Sequence, residues 1–101
     1  MNSTGYTLND YTVAPAPTFG LPSDNERKAV KVGDIVKLVF NFDGIGERMW
    51  VEVMDIDGEG KFSGSLANTP LYRSSLTLGS VVKFEWFHII NIEENRLEGI
   101  K

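Results

Sequence analysis

From Ile35 to Leu66 apolar residues return at every second position, and this two-residue period constrains the chain more than any other feature, because it demands strands with one buried face. In the first run Val36, Leu38, Phe40 and Phe42 share a face, while Lys37 and Asn41 lie on the other. In the second, expected over Arg48 to Ile56, Met49, Val51 and Val53 alternate with Trp50, Glu52 and Met54. Asp43-Gly44-Ile45-Gly46 turns the chain between these runs. Asp57-Gly58-Glu59-Gly60 then turns it into a third, Lys61 to Leu66, with Phe62, Gly64 and Leu66 aligned. A last run, Val81 to Ile92, sets Val82, Phe84, Trp86, His88, Ile90 and Ile92 on one face. It is long for one strand, so a bend or bulge is expected near Phe87-His88.

Helix has little room. Ser23-Asp24-Asn25-Glu26 has the form of a capping box, and Gly33-Asp34 turns the chain soon after, which predicts about two turns over Asp24 to Val30. Residues 1–22 carry Pro15, Pro17 and Pro22 among several aromatic and aliphatic residues and read as an extended arm. Residues 23–101 form the single small β domain. Val30 to Phe40, "VKVGDIVKLVF", is echoed by Leu76 to Trp86, "LTLGSVVKFEW": each sets a tight glycine turn directly before a strand. The expected fold is mainly β, a small SH3-like barrel or strongly bent antiparallel sheet with one short N-terminal helix.

A chain of 101 residues has the apolar content for one core and no second. With no cysteine it has no disulfide frame, no thiolate nucleophile and no thiolate metal site. No apolar run reaches the length of a membrane span, and the first residues lack the pattern of a secretory signal, so a soluble cytoplasmic protein without a membrane partner is expected. The net charge of -4, with basic residues scattered singly, argues against nucleic acid and leaves two meanings for the acidity: solubility, or attraction to a basic partner.

Few residues could carry chemistry. His88 is the single histidine and falls on an apolar face, which suits a hydrogen-bonded structural residue better than a catalyst. Asp55, Asp57 and Glu59 faintly resemble a calcium loop, but Gly64 stands where a closing glutamate is needed, so no metal is expected. Neither pair of hairpin glycines precedes a helix as a phosphate loop requires, and no cofactor is expected. What remains is aromatic surface. Alternation turns Trp50 away from the core, where a neighbouring strand or the N-terminal arm covers it or it serves as a binding anchor; cover is the favoured alternative. The segment from Asn68 to Arg73 is either a corner between sheets or a contact loop presenting Tyr72 and Arg73. Candidate binding residues are Trp50, Glu52, Asn68, Tyr72, Arg73 and Trp86.

"ERMWVEVMDIDGEGKFSGSLANTP" and "LTLGSVVKFEWFHIINIE", with the preceding "FGLPSDNERKAVKVGDIVKLVF", resemble a family of small bacterial and phage-borne domains of unknown function. The family pattern runs E-x-M-W-V, G-x-L-x-N-x-P, L-x-x-G-D-x-V-x-F and I-I-D-I. Glu47, Met49, Trp50 and Val51 fit its first element, and Gly64, Leu66, Asn68 and Pro70 its second, while Ser80 and Asn91 replace two aspartates. The resemblance implies a single domain without enzymatic activity, related to the immunity proteins encoded beside bacterial toxins.

The expectation for function is therefore a non-enzymatic binding module of the immunity type, masking a basic toxin or effector, as a monomer or small homo-oligomer. A different reading is a small-ligand or nucleotide-binding barrel with a pocket lined by Trp50, Tyr72 and Trp86. A third, a hydrolase, requires a carboxylate within reach of His88.

Overall fold

The alternating runs become strands of one curled antiparallel sheet, a half-barrel whose concave side holds the core. The computed structural model describes residues 5–11, 20–71 and 76–93. In chain order these are β1 (Thr7–Leu8), α1 (Asp24–Lys28), β2 (Ile35–Phe42), β3 (Ile45–Ile56), β4 (Phe62–Leu66), β5 (Val81–Phe84), a 3₁₀ turn (Trp86–His88) and β6 (Ile89–Glu93). The sheet runs β1-β2-β3-β4-β5, and β6 returns to pair with β2. One edge of β2 is therefore shared: β6 takes Ile35 to Leu38, and β1 takes Phe40 and Asn41. Among the described residues no helix is long and apolar enough to cross a membrane.

The core consists of the residues that the period places on one face. Val36, Leu38, Phe40 and Phe42 of β2, Met49, Val51 and Val53 of β3, and Phe62 and Leu66 of β4 are all buried, joined by Val82, Phe84 and Ile89. Gly64, aligned with them, is where β4 passes close over β3. β3 changes partners along its length: Ile45 to Glu52 pair with β2 and Val51 to Ile56 with β4, with a register shift between Val53 and Asp55.

Two boundaries differ from expectation, each for a local reason. The first hairpin turns on two residues, Asp43 (φ 53°) and Gly44 (φ 89°), so β3 starts at Ile45 and not at Arg48. Left-handed backbone at both central positions matches the twist of the flanking strands. The helix ends at Lys28 because Ala29 already closes it and Val30 leaves to join the core. The last run is broken at the expected place, near Phe87-His88, by the 3₁₀ turn. That turn resets the period, so beyond Phe84 the buried residue is Ile89 and not Ile90, and Trp86 and His88 are half-buried.

The sequence echo is a structural repeat. Gly33 (φ 99°) and Gly79 (φ 91°) each occupy a turn that leads into a strand. Asp34 N–H donates to Lys31 O at 3.0 Å, and Ser80 N–H donates to Thr77 O at 3.0 Å. The side chain after each glycine accepts from the amide three residues back: Asp34 Oδ2 from Lys31 at 3.0 Å, Ser80 Oγ from Thr77 at 2.9 Å. Each turn then docks on a strand, Gly33 and Asp34 exchanging backbone bonds with Val53, and Gly79 and Ser80 with Leu66. Each turn thus uses a short side-chain oxygen as its acceptor, the Asp34 carboxylate in the first and the Ser80 hydroxyl, a weaker one, in the second.

Candidate binding face on the third strand

Residues of β3 from Glu47 to Val51 meet the end of β4 and the segment that leaves it, some as core and two, Glu47 and Asn68, by holding backbone. Met49, Val51 and Leu66 are core. Asn68 Oδ1 accepts the Trp50 N–H at 2.5 Å, and Ala67 N–H donates to Trp50 O at 2.9 Å, so the chain leaving β4 is bound on both sides of Trp50. Glu47 Oε2 accepts the Leu71 N–H at 2.7 Å and fixes the far end of the same segment. Asn68, read as a binding residue, thus spends its carbonyl oxygen on the strand beside Trp50.

Trp50 lies on the face turned from the core and is half-buried. Its partial cover comes from a neighbouring strand, one of the alternatives that alternation left open. Lys37, its cross-strand partner on β2, places Nζ 4.7 Å from the ring centroid. A cation over an indole face is attractive by about 0.5 to 1 kcal/mol at an exposed site. Glu52 is exposed on the same face two residues on, followed by Met54 at 56% exposure. Leu71, held by Glu47, is 93% exposed at the end of the tied segment. Trp50, Glu52 and Asn68 are therefore brought together. Tyr72 and Arg73 lie outside the described residues.

Trp86 belongs elsewhere. It packs against the core from the 3₁₀ turn, and α1 lays two cations on it, Arg27 with Cζ at 5.0 Å and Lys28 with Nζ at 4.8 Å from the centroid. Arg27 is the functional-looking residue that sequence reasoning missed. It is 1% exposed, yet its guanidinium donates to Ile89 O at 3.2 Å, Tyr11 O at 3.3 Å and Asp24 Oδ1 at 3.0 Å, while Nε is buried without a partner. Its role is to join the helix to β6 and to the chain after β1. On a helix of sequence DNERK nothing distinguishes this cation from its neighbour Lys28.

His88 Nδ1 accepts the Glu85 N–H at 3.0 Å, closing the 3₁₀ turn. Burial lowers its pKa, against the opposing pull of Asp10 and Glu85. A histidine held neutral in the fold stabilises above the unfolded value of 6.5, and that contribution is lost as pH falls from there through the lower folded value. The expected result is that His88→Asn, whose Oδ1 can take the place of Nδ1, is less stable than the parent at pH 7.5 by a margin that narrows at pH 5. Urea midpoints of both proteins at the two pH values check this, and an unchanged margin contradicts it.

The acids of the second hairpin also have structural partners. Asp57 Oδ1 accepts from Glu59 N–H at 2.8 Å and Lys61 N–H at 3.0 Å, and these bonds hold its carboxyl below the usual range. Among the described residues no group of three or more His, Cys, Asp or Glu side chains is placed to hold a metal ion.

Compared with protein-family models, with curated proteins and with solved structures, the chain matches none.

Proposed function

We propose that this chain is a non-enzymatic binding module of the immunity type, which masks a basic toxin or effector with the outer face of β3. The observation that carries the reading is a half-exposed tryptophan held rigidly: Trp50 has its amide tied by Asn68, its carbonyl tied by Ala67 and its ring under Lys37. Exposed Met54, on the same side of the strand, adds apolar area to that face. A preorganised aromatic with apolar neighbours is what an interface anchor requires, since little ordering entropy is then lost on binding. The net charge of -4, with Asp43, Glu52, Asp55 and Glu59 exposed, favours a basic partner through steered encounter.

The test starts from a partner captured with the intact chain and purified, and follows association and dissociation over a salt series. Association is expected to slow as the screening length falls from about 30 Å at 0.01 M to about 8 Å at 0.15 M, while dissociation changes less. Neutralising Asp43, Asp55 and Glu59 together should slow association at low salt; Asp57 is spared because it builds its own turn. An association rate indifferent to salt and to neutralisation would remove the electrostatic part of the proposal.

A further inference from the structure

Away from the β3 face, a cavity of about 270 Å³ opens between the second hairpin and the 3₁₀ turn, at the end of the β4–β5 ladder. Phe62 and Ser63 of β4 and Lys83 and Phe84 of β5 line it where the two strands pair, Phe62 opposite Phe84 and Ser63 opposite Lys83. Lys61, Lys83, Asp57 and Glu85 make up the charged part of its lining. These charges are not equally available. Asp57 Oδ1 is occupied by two backbone amides, whereas Lys61 meets Glu59 only at 3.8 Å, with both side chains largely exposed. Such a pair exchanges readily for a ligand.

The imidazole adds a directed donor. With Nδ1 accepting from Glu85 N–H, neutral His88 carries its proton on Nε2, and the ring lines the same cavity. The volume lies just below the roughly 300 to 1,000 Å³ of sites for drug-sized ligands, which limits the occupant to a small molecule. The mixture of charges limits it further. A plain anion here would face Glu85, and a plain cation would face Lys83, so a ligand carrying both signs fits the lining best.

We propose that this cavity binds a small zwitterion of the α-amino-acid class, its carboxylate on Lys83 and the His88 Nε2–H and its ammonium on Glu85. The inference stands apart from the β3 face and survives if that face binds nothing. It is tested by titrating the intact protein with L-leucine, with isocaproate, which lacks the ammonium, and with isoamylamine, which lacks the carboxylate, at constant ionic strength. The ring proton signals of His88, the single histidine, report occupancy. Saturable shifts with leucine, at least about fivefold tighter than with either singly charged analogue, are expected from one added charge-assisted hydrogen bond. Lys83→Gln and Glu85→Gln should each weaken leucine binding by a similar factor. Lys37→Gln on the outer face should leave it unchanged. Isocaproate binding as tightly as leucine, an absence of saturation with all three probes, or equal weakening by Lys37→Gln would each overturn the proposal.

Discussion

Replacing Gly64 with alanine is expected to lower stability by about 3 kcal/mol, near the upper end of what one added methyl costs in a packed core. The position is closed by backbone as well as side chain. A Cβ on Gly64 would collide with Val51 Cγ1 and come within 2.6 Å of Glu52 O, and both neighbours belong to β3 at the point where it is paired on both edges. Val51 is fully buried and the Glu52 carbonyl is part of the ladder, so neither can retreat without opening the sheet. Gly58→Ala supplies the comparison: nothing lies within 4 Å of a Cβ there, and a change within about 0.5 kcal/mol is expected. Urea denaturation of the two variants beside the parent measures both. Equal midpoints for Gly64→Ala and Gly58→Ala would contradict the close packing of β4 on β3.

Arg27→Met should cost about 2 to 3 kcal/mol, although it removes a charge from the interior. The ion pair with Asp24 contributes little to this, since Asp24 is 61% exposed and water screens it. The larger loss is at Ile89 O, a buried acceptor bonded by the guanidinium, because a buried carbonyl left without its donor costs about 1 to 3 kcal/mol. Methionine refills most of the volume and relieves the unpartnered Nε, which keeps the cost below that of a truncation to alanine. Arg27→Lys should recover only part, because one ammonium cannot reach Tyr11 O, Ile89 O and Asp24 while lying flat on Trp86. Denaturant midpoints rank the three proteins. A lysine variant as stable as the parent would show that charge alone, without the planar fork, is what the site requires.

Much of the fold was legible because it rests on the two-residue period and on turn chemistry. Val36 to Phe42 and Met49 to Val53 lie on the faces that alternation assigns, and the paired glycine turns before β2 and β5 repeat each other down to the accepting side chain. The period fails where the chain stops being a strand: at Trp86–His88 one 3₁₀ turn shifts the phase, and Ile89 takes the place expected for Ile90. The candidate site was legible only in part. Trp50 and Glu52 could be placed on the outer face by counting, but the ties from Asn68 to Trp50 and from Glu47 to Leu71 span 18 and 24 residues. Long-range side-chain bonds leave no periodic trace. The cover on Trp50 is of the same kind, since Lys37 meets the indole through strand register and not through sequence proximity.

The central claim is that Trp50 is displayed for binding, with the surrounding ties holding it in place. Trp50→Ala, measured for folding stability and for affinity toward the purified partner, tests this most directly. A half-buried ring outside the core should cost about 1 kcal/mol of stability, well under the 3 to 5 kcal/mol of a core tryptophan. Affinity should fall by about thirtyfold or more, the loss of an interface anchor worth about 2 kcal/mol. A urea midpoint lowered as far as a core truncation, together with unchanged affinity per folded molecule, would contradict the account and make Trp50 a packing residue.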